Sequence, residues 1–256
     1  MLPLMKFSYP RCFLNSLCLV SAFAMSLRAD TVLETETAEL GKKGDWLVSN
    51  SVQFERAKDG SRTTFTLTQY EVGITDRAEI LIEPFFQEWD KPKGEKRFHG
   101  MGDLEITPSY MIVLDDPKKW VPAVVLALKV KVPTAKNRNI GSGRVDYYPY
   151  VIVGKTFGPW VLNANFGVDV IGRSKNDHDT RNQFIYDFSV ERKITDQWSV
   201  FAEVFANSKP AVGDVGTFAG AIATEYKFTE HFNAFVSVGY DSDRMVNVRP
   251  GFNIEY

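Results

Sequence analysis

The sequence predicts an all-β fold, an antiparallel transmembrane up-and-down β-barrel of about twelve strands. Three observations predict it. From Trp46 onward the chain divides into period-two segments about ten residues long. The connections between them alternate between short and long. The last segment keeps its alternation up to an aromatic final residue, Tyr256.

The beginning of the chain says where such a fold would form. Lys6 and Arg11 precede an apolar run from Phe13 to Met25, and Ala22, Ala24, Ser26 and Ala29 offer small residues for cleavage. That is the pattern of an export signal, assigned to residues 1–29. The run is too short to span a bilayer comfortably, and no later stretch reaches the ~18 uncharged apolar residues of a membrane helix. If the mature chain spans a membrane, it must therefore do so with strands. Both cysteines, Cys12 and Cys18, fall inside the signal, so the mature chain has no disulfide framework. A formal charge of -2 gives no reason to expect a nucleic-acid partner. An aromatic share of 13% suits a protein with two water-to-apolar boundaries to anchor, although a soluble sandwich would match it.

The expected strands are 46–56, 63–73, 78–88, 102–113, 120–132, 144–155, 160–171, 183–193, 198–207, 217–228, 232–241 and 245–256. Their even number brings both ends to the periplasmic side. Short connections such as GITDRA (73–78), KTFGPW (155–160) and KITDQW (193–198) carry turn-forming Asp, Gly, Pro or Thr. The intervening ones, including 88–102, 133–144 and 172–182, are mostly longer and polar. Short turns inside and long loops outside are the arrangement of the cell outer membrane.

Side chains sort the two faces. In 160–171, Trp160, Leu162, Ala164, Phe166, Val168 and Val170 share one side, and Asn163, Asn165, Gly167 and Asp169 share the other. The first set is expected to face lipid. In 245–256, Val246, Val248, Phe252, Ile254 and Tyr256 oppose Asn247, Arg249, Asn253 and Glu255. Segment 63–73 fits least well, because Phe65 and Leu67 lie on one face and Tyr70 and Val72 on the other. The polar stretch 30–44, DTVLETETAELGKKG, is read as a mobile lead, ahead of a periplasmic tether or a plug. Residues 45–256 form the barrel.

EVGITDRAEILIEPFF, GMGDLEITPSYMIV and ALKVKVPTAKNRNIGSGRVDYYPYVIVGKTFGPWVLNANFGVDV resemble the successive blocks of an outer-membrane family associated with the meta pathway of phenol degradation. The resemblance covers roughly residues 70–170, and at VPTA Ala135 stands where that block usually has glycine. It implies a transporter-like barrel. The aromatic terminus likewise resembles the signal by which barrel-assembly machinery accepts its substrates, which makes that machinery an expected partner and Tyr256 the assembly signal.

Little here points to covalent chemistry. His99, His178 and His231 show no metal-ligand spacing, so neither metal nor cofactor is expected. No glycine-rich phosphate loop, HExxH or GxSxG occurs. Lys91, Lys93, Lys96 and Arg97 in one outer loop, with Lys136, Arg138 and Arg144 in another, would meet the phosphates of lipopolysaccharide at the surface.

Alternation assigns Glu83, Phe85, Asp103, Glu105, Lys129, Lys131, Asp146, Tyr148, Tyr150, Glu203 and Arg249 to the lumen as permeation candidates. If Leu114 pairs with Trp120, Lys129 stands opposite Glu105 and Lys131 opposite Asp103. Pairing Val132 with Val145 sets Asp146 opposite Lys131 and Tyr148 opposite Lys129. The expected function is a narrow passive channel for small, aromatic or apolar solutes. The alternative is a structural or surface-interaction barrel with a closed lumen, ahead of an outer-membrane enzyme.

Overall fold

The computed structural model describes residues 34–84, 86–116, 118–137, 140–141, 143–172, 182–208 and 216–256. The assigned signal, residues 30–33, Phe85, Arg138 and His178 lie outside the described residues. Regular structure among the described residues is all strand: β1 (Trp46–Arg56), β2 (Arg62–Thr75), β3 (Ala78–Glu83), β4 (Gln87–Lys91), β5 (Phe98–Met101), β6 (Leu104–Val113) and β7 (Ala123–Val132). It continues with β8 (Asp146–Phe157), β9 (Trp160–Asp169), β10 (Gln183–Lys193), β11 (Trp198–Asn207), β12 (Thr217–Thr229), β13 (Phe232–Asp241) and β14 (Val246–Glu255).

These strands form one antiparallel sheet that closes on itself. Closure runs through β1 and β14, where Leu47 faces Glu255 and Phe54 faces Val248. A membrane strand needs such closure because no water in the hydrocarbon layer can satisfy an open edge. β3 and β4 both pair with β2, as two halves of one stave. β6 pairs with β3 and β5 pairs with β4, as two halves of the next. Fourteen strands, with two pairs of halves, therefore make the expected twelve staves.

The break after β3 corrects the continuous strand expected at 78–88, and β4 and β5 fall largely in the loop expected at 88–102, while β6 lies within the strand expected at 102–113. Pro84 has no N–H to give to a ladder, so β3 ends there. Gly102 donates its N–H to Phe86 O at 2.7 Å, and the Phe86 ring fills the space a Cβ on Gly102 would need. The outward face is apolar, as alternation requires: Phe166 and Phe252 are 56% and 38% exposed, while Asn163 and Asn165 are buried inside. In β2, Tyr70 and Val72 also face outward, and Phe65 points inward with its ring 6.1 Å from that of Phe86. An aromatic pair inside the barrel thus explains why the apolar residues of this stave occupy both faces.

One register held and another moved. β7 and β8 pair as expected, Lys131 with Asp146 and Lys129 with Tyr148. Between β6 and β7 the partners are Glu105 with Lys131 and Ile106 with Val130, two residues from the expected pairing. The cause is the connection after β6. Lys155 Nζ from β8 lies 2.6 Å from Asp115 Oδ1, 2.8 Å from Asp116 O and 3.2 Å from Val121 O. It thus holds the two ends of the connection, Asp115 and Asp116 on one side and Val121 on the other, and keeps Val121 out of the strand expected at 120–132. The shift is even, so every side chain keeps its face.

Residues 35–41 lie inside the barrel, which corrects the mobile lead, and residues 42–44 are exposed. Thr35, Thr37 and Ala38 are buried. Ala38 and Leu40 join Met111, Val125, Tyr150 and Ile152 in an apolar cluster within the lumen. The lead is polar in sequence, yet the hydrogen bonds of its exposed backbone can be met by a charged inner wall as well as by water.

Candidate functional site

The lead is held from opposite sides of the barrel. On β9, Asn163 Oδ1 accepts the N–H of Ala38 at 3.1 Å. The Asn165 amide, oriented to match, donates to Glu36 O at 3.0 Å and accepts from Glu36 N at 2.7 Å. From β8, the hydroxyl of Tyr150 donates to the Glu36 carboxylate. Two staves round the wall from β9, Glu203 Oε2 on β11 accepts the N–H of Thr35 at 3.0 Å and its hydroxyl at 2.9 Å. Arg249 Nη1 on β14 lies 3.2 Å from Glu34 Oε1. Nearer the end where β1 begins and β14 ends, Glu79 Oε2 accepts the N–H of Gly41 at 2.6 Å. Because β14 stands six staves from β8 in the twelve-stave barrel, the segment from Glu36, held by Tyr150 of β8, to Glu34, held by Arg249 of β14, crosses the lumen.

The wall is shaped to receive it. A Cβ on Gly154 would lie 2.5 Å from the Cβ of Ala38, and one on Gly73 would strike the carbonyl of Lys42. Glycine at these positions leaves the width of a side chain for a second backbone.

Outside the lead, toward the long loops, a cavity of about 190 Å³ is lined by Glu105, Lys129, Lys131, Asp146, Tyr148, Asp169 and Ile185. Five of these were assigned to the lumen from alternation. Lys129 Nζ is the hub: it lies 3.1 Å from Glu83 Oε2, 3.3 Å from Glu105 Oε2 and 4.0 Å from Glu36 Oε1. Lys131 forms an ion pair with Asp146, whose other oxygen accepts the N–H of Gly172 at 2.7 Å. The Tyr148 ring stacks on that of Tyr150, centroids 4.6 Å apart. A small cavity with paired charges and an aromatic wall can hold a small solute that has both a polar group and an apolar body.

Other candidates fall elsewhere. Asp103 is buried and accepts the N–H of Ala135 at 2.9 Å, so it ties down the loop after β7. Tyr150, Glu203 and Arg249 hold the lead. Tyr256 stacks on His231 at 4.2 Å and on Trp46 at 5.0 Å, and exchanges backbone hydrogen bonds with Trp46, at the seam of the barrel. Sequence reading missed Glu34, Thr35, Glu36 and Ile185, and it placed Asp169 on the inward face without naming it as a permeation candidate. For the lead a signal was present, since Thr and Glu alternate through Glu34–Thr37 as in an extended segment.

Among solved structures, the chain is similar to the COG4313 outer membrane channel from Pseudomonas putida F1, with a TM-score of 0.66 at 12% identity, covering 86% of this chain and 98% of that one. It is similar to the NanC porin, TM-score 0.57 at 13% identity, covering 81% and 98%. A third likeness is to the KdgM porin in complex with disordered oligogalacturonate, TM-score 0.55 at 11% identity, covering 81% and 98%. At these identities the likeness carries the fold of an outer-membrane barrel. No curated protein sequence matches the chain. Residues 31–251 match the family described as "Putative MetA-pathway of phenol degradation", and the chain belongs to that family.

Proposed function

We propose that the protein is a narrow passive channel of the outer membrane that admits small solutes with an aromatic or apolar body and a polar group. The observation that carries this reading is the 190 Å³ cavity, which opens the lumen directly outside the lead and has charged and aromatic walls. A solute would exchange water for the Tyr148 ring on one side and for the lysine and carboxylate groups on the other. No bond is made or broken in such passage. The protein reaches its membrane through its export signal, and the basic outer loops rest among lipopolysaccharide phosphates.

The lead crossing the lumen favours a second reading, a structural barrel with a closed interior. Ion conductance of the purified protein in planar bilayers separates the two. The channel reading expects steady currents, and swelling of protein-loaded liposomes that is faster in phenol-like solutes than in sugars of similar mass. Silent bilayers and no swelling would leave the closed barrel.

A further inference from the structure

The lumen wall treats its bases and its acids differently. Each basic group at mid-depth is matched or outnumbered: Lys129 by Glu83, Glu105 and Glu36, Lys131 by Asp146, and Arg249 by Glu34. Several acids have neutral partners instead. Glu203 accepts from Thr35, Glu191 Oε1 accepts from Ser199 Oγ at 2.7 Å, and Glu225 Oε2 accepts from Asn253 Nδ2 at 3.4 Å. A hydrogen bond from a hydroxyl or an amide satisfies a carboxylate oxygen without cancelling its charge.

Glu191 and Glu225, with Glu255, form a connected arc on one wall. Glu191 on β10 reaches Ser199 on β11, which pairs with Glu225 on β12. Glu225 reaches Asn253 on β14, which pairs with Asn233 on β13, and Asn233 Nδ2 donates to Glu255 Oε1 at 2.9 Å. The arc also holds oxygens in excess of donors. Glu225 Oε1, Asn233 Oδ1 and Asn253 Oδ1 are buried and find no hydrogen-bond donor among the described residues. Oxygen atoms without donors suit a hard cation and repel an anion. Asp187, inward on β10, continues this wall at mid-depth, and Glu55 and Glu88 continue it toward the outer mouth.

Bases occur at both ends of the passage. Lys193 and Lys227 share the inward register at the inner end, and Lys91 and Lys93 stand at the outer rim. A stave of ten residues is about 33 Å long. Lys193 and Lys227 lie two residues, about 7 Å, from Glu191 and Glu225 on the same inward rows. The Debye length at physiological salt is about 8 Å, so these end charges do not offset the field at Asp187 and Glu203, four or more residues deeper.

We infer that the lumen selects cations over anions, and that the wall containing Asp187 and Glu225 sets the preference. The inference rests on the channel reading and narrows its substrates to neutral or cationic solutes, amines rather than carboxylates. The test is the reversal potential of the full chain in planar bilayers under a KCl gradient, for the parent and for Asp187→Asn with Glu225→Gln. Both substitutions keep side-chain shape, and heat-modifiable gel mobility confirms that the double variant is a folded barrel. The expected result is several-fold preference for potassium over chloride in the parent and a preference near unity in the folded double variant. A parent that is unselective or prefers chloride would overturn the inference while leaving the channel reading intact. A cation-selective parent with an unchanged folded variant would overturn the assignment to this wall. A parent that conducts nothing would overturn both readings.

Discussion

Ala38 occupies the space that a side chain on Gly154 would need: a Cβ added there would stand 2.5 Å from the Cβ of Ala38. Residues distant in sequence thus meet in the lumen, and the barrel wall is cut to fit the lead.

Replacing Gly154 with Val should expel the lead from its seat. Retaining it beside the larger side chain would cost about 1–3 kcal/mol in overpacking, and the lead can move where the wall cannot. Limited proteolysis of the folded protein reads the outcome. The lead should be trimmed in the variant and protected in the parent, and equal protection would contradict the contact.

Lys129 gathers Glu36, Glu83 and Glu105 around one ammonium, so Lys129→Ala leaves three carboxylates facing one another. Removing one partner of a buried ion pair costs about 3–5 kcal/mol, and the 25% exposure of the lysine side chain places this case toward the lower end. The midpoint of urea unfolding in detergent micelles should fall. Lys129→Arg should restore most of the loss and Lys129→Met little of it, because charge and not length is missing. An unchanged midpoint for the alanine variant would show that water alone satisfies these acids.

Tyr256 lies between His231 and Trp46 where the last stave meets the first. Deleting it, or replacing it with Asp, should lower the amount of folded barrel in the outer membrane far more than it lowers the stability of barrels that have already closed. Equal surface levels for mutant and parent would argue against a role in assembly.

How much of this was legible in the sequence depended on how local the signal was. Alternation within a stave fixes which side chains face inward, and it placed Lys129, Lys131, Asp146 and Tyr148 on one wall of one cavity. The β7–β8 register followed as well, since it rests on pairs between neighbouring staves. The β6–β7 register did not, because the loop that sets it is gripped by Lys155 of a third strand. The lead was the largest miss. Its polar residues are solvated by a wall assembled from β3, β8, β9, β11 and β14, and no window of sequence contains that wall. For the same reason Tyr150 and Glu203 read as permeation residues although their polar atoms are taken up by Glu36 and Thr35.

A closed barrel whose passage is narrowed by its own N-terminal segment is the centre of this account, and single-channel conductance tests it most directly. The comparison is between the full chain and one lacking residues 34–41, both confirmed as folded by heat-modifiable mobility. The account predicts that both conduct and that the shortened chain carries the larger current per channel. Equal currents, or a folded shortened chain that passes none, would contradict it.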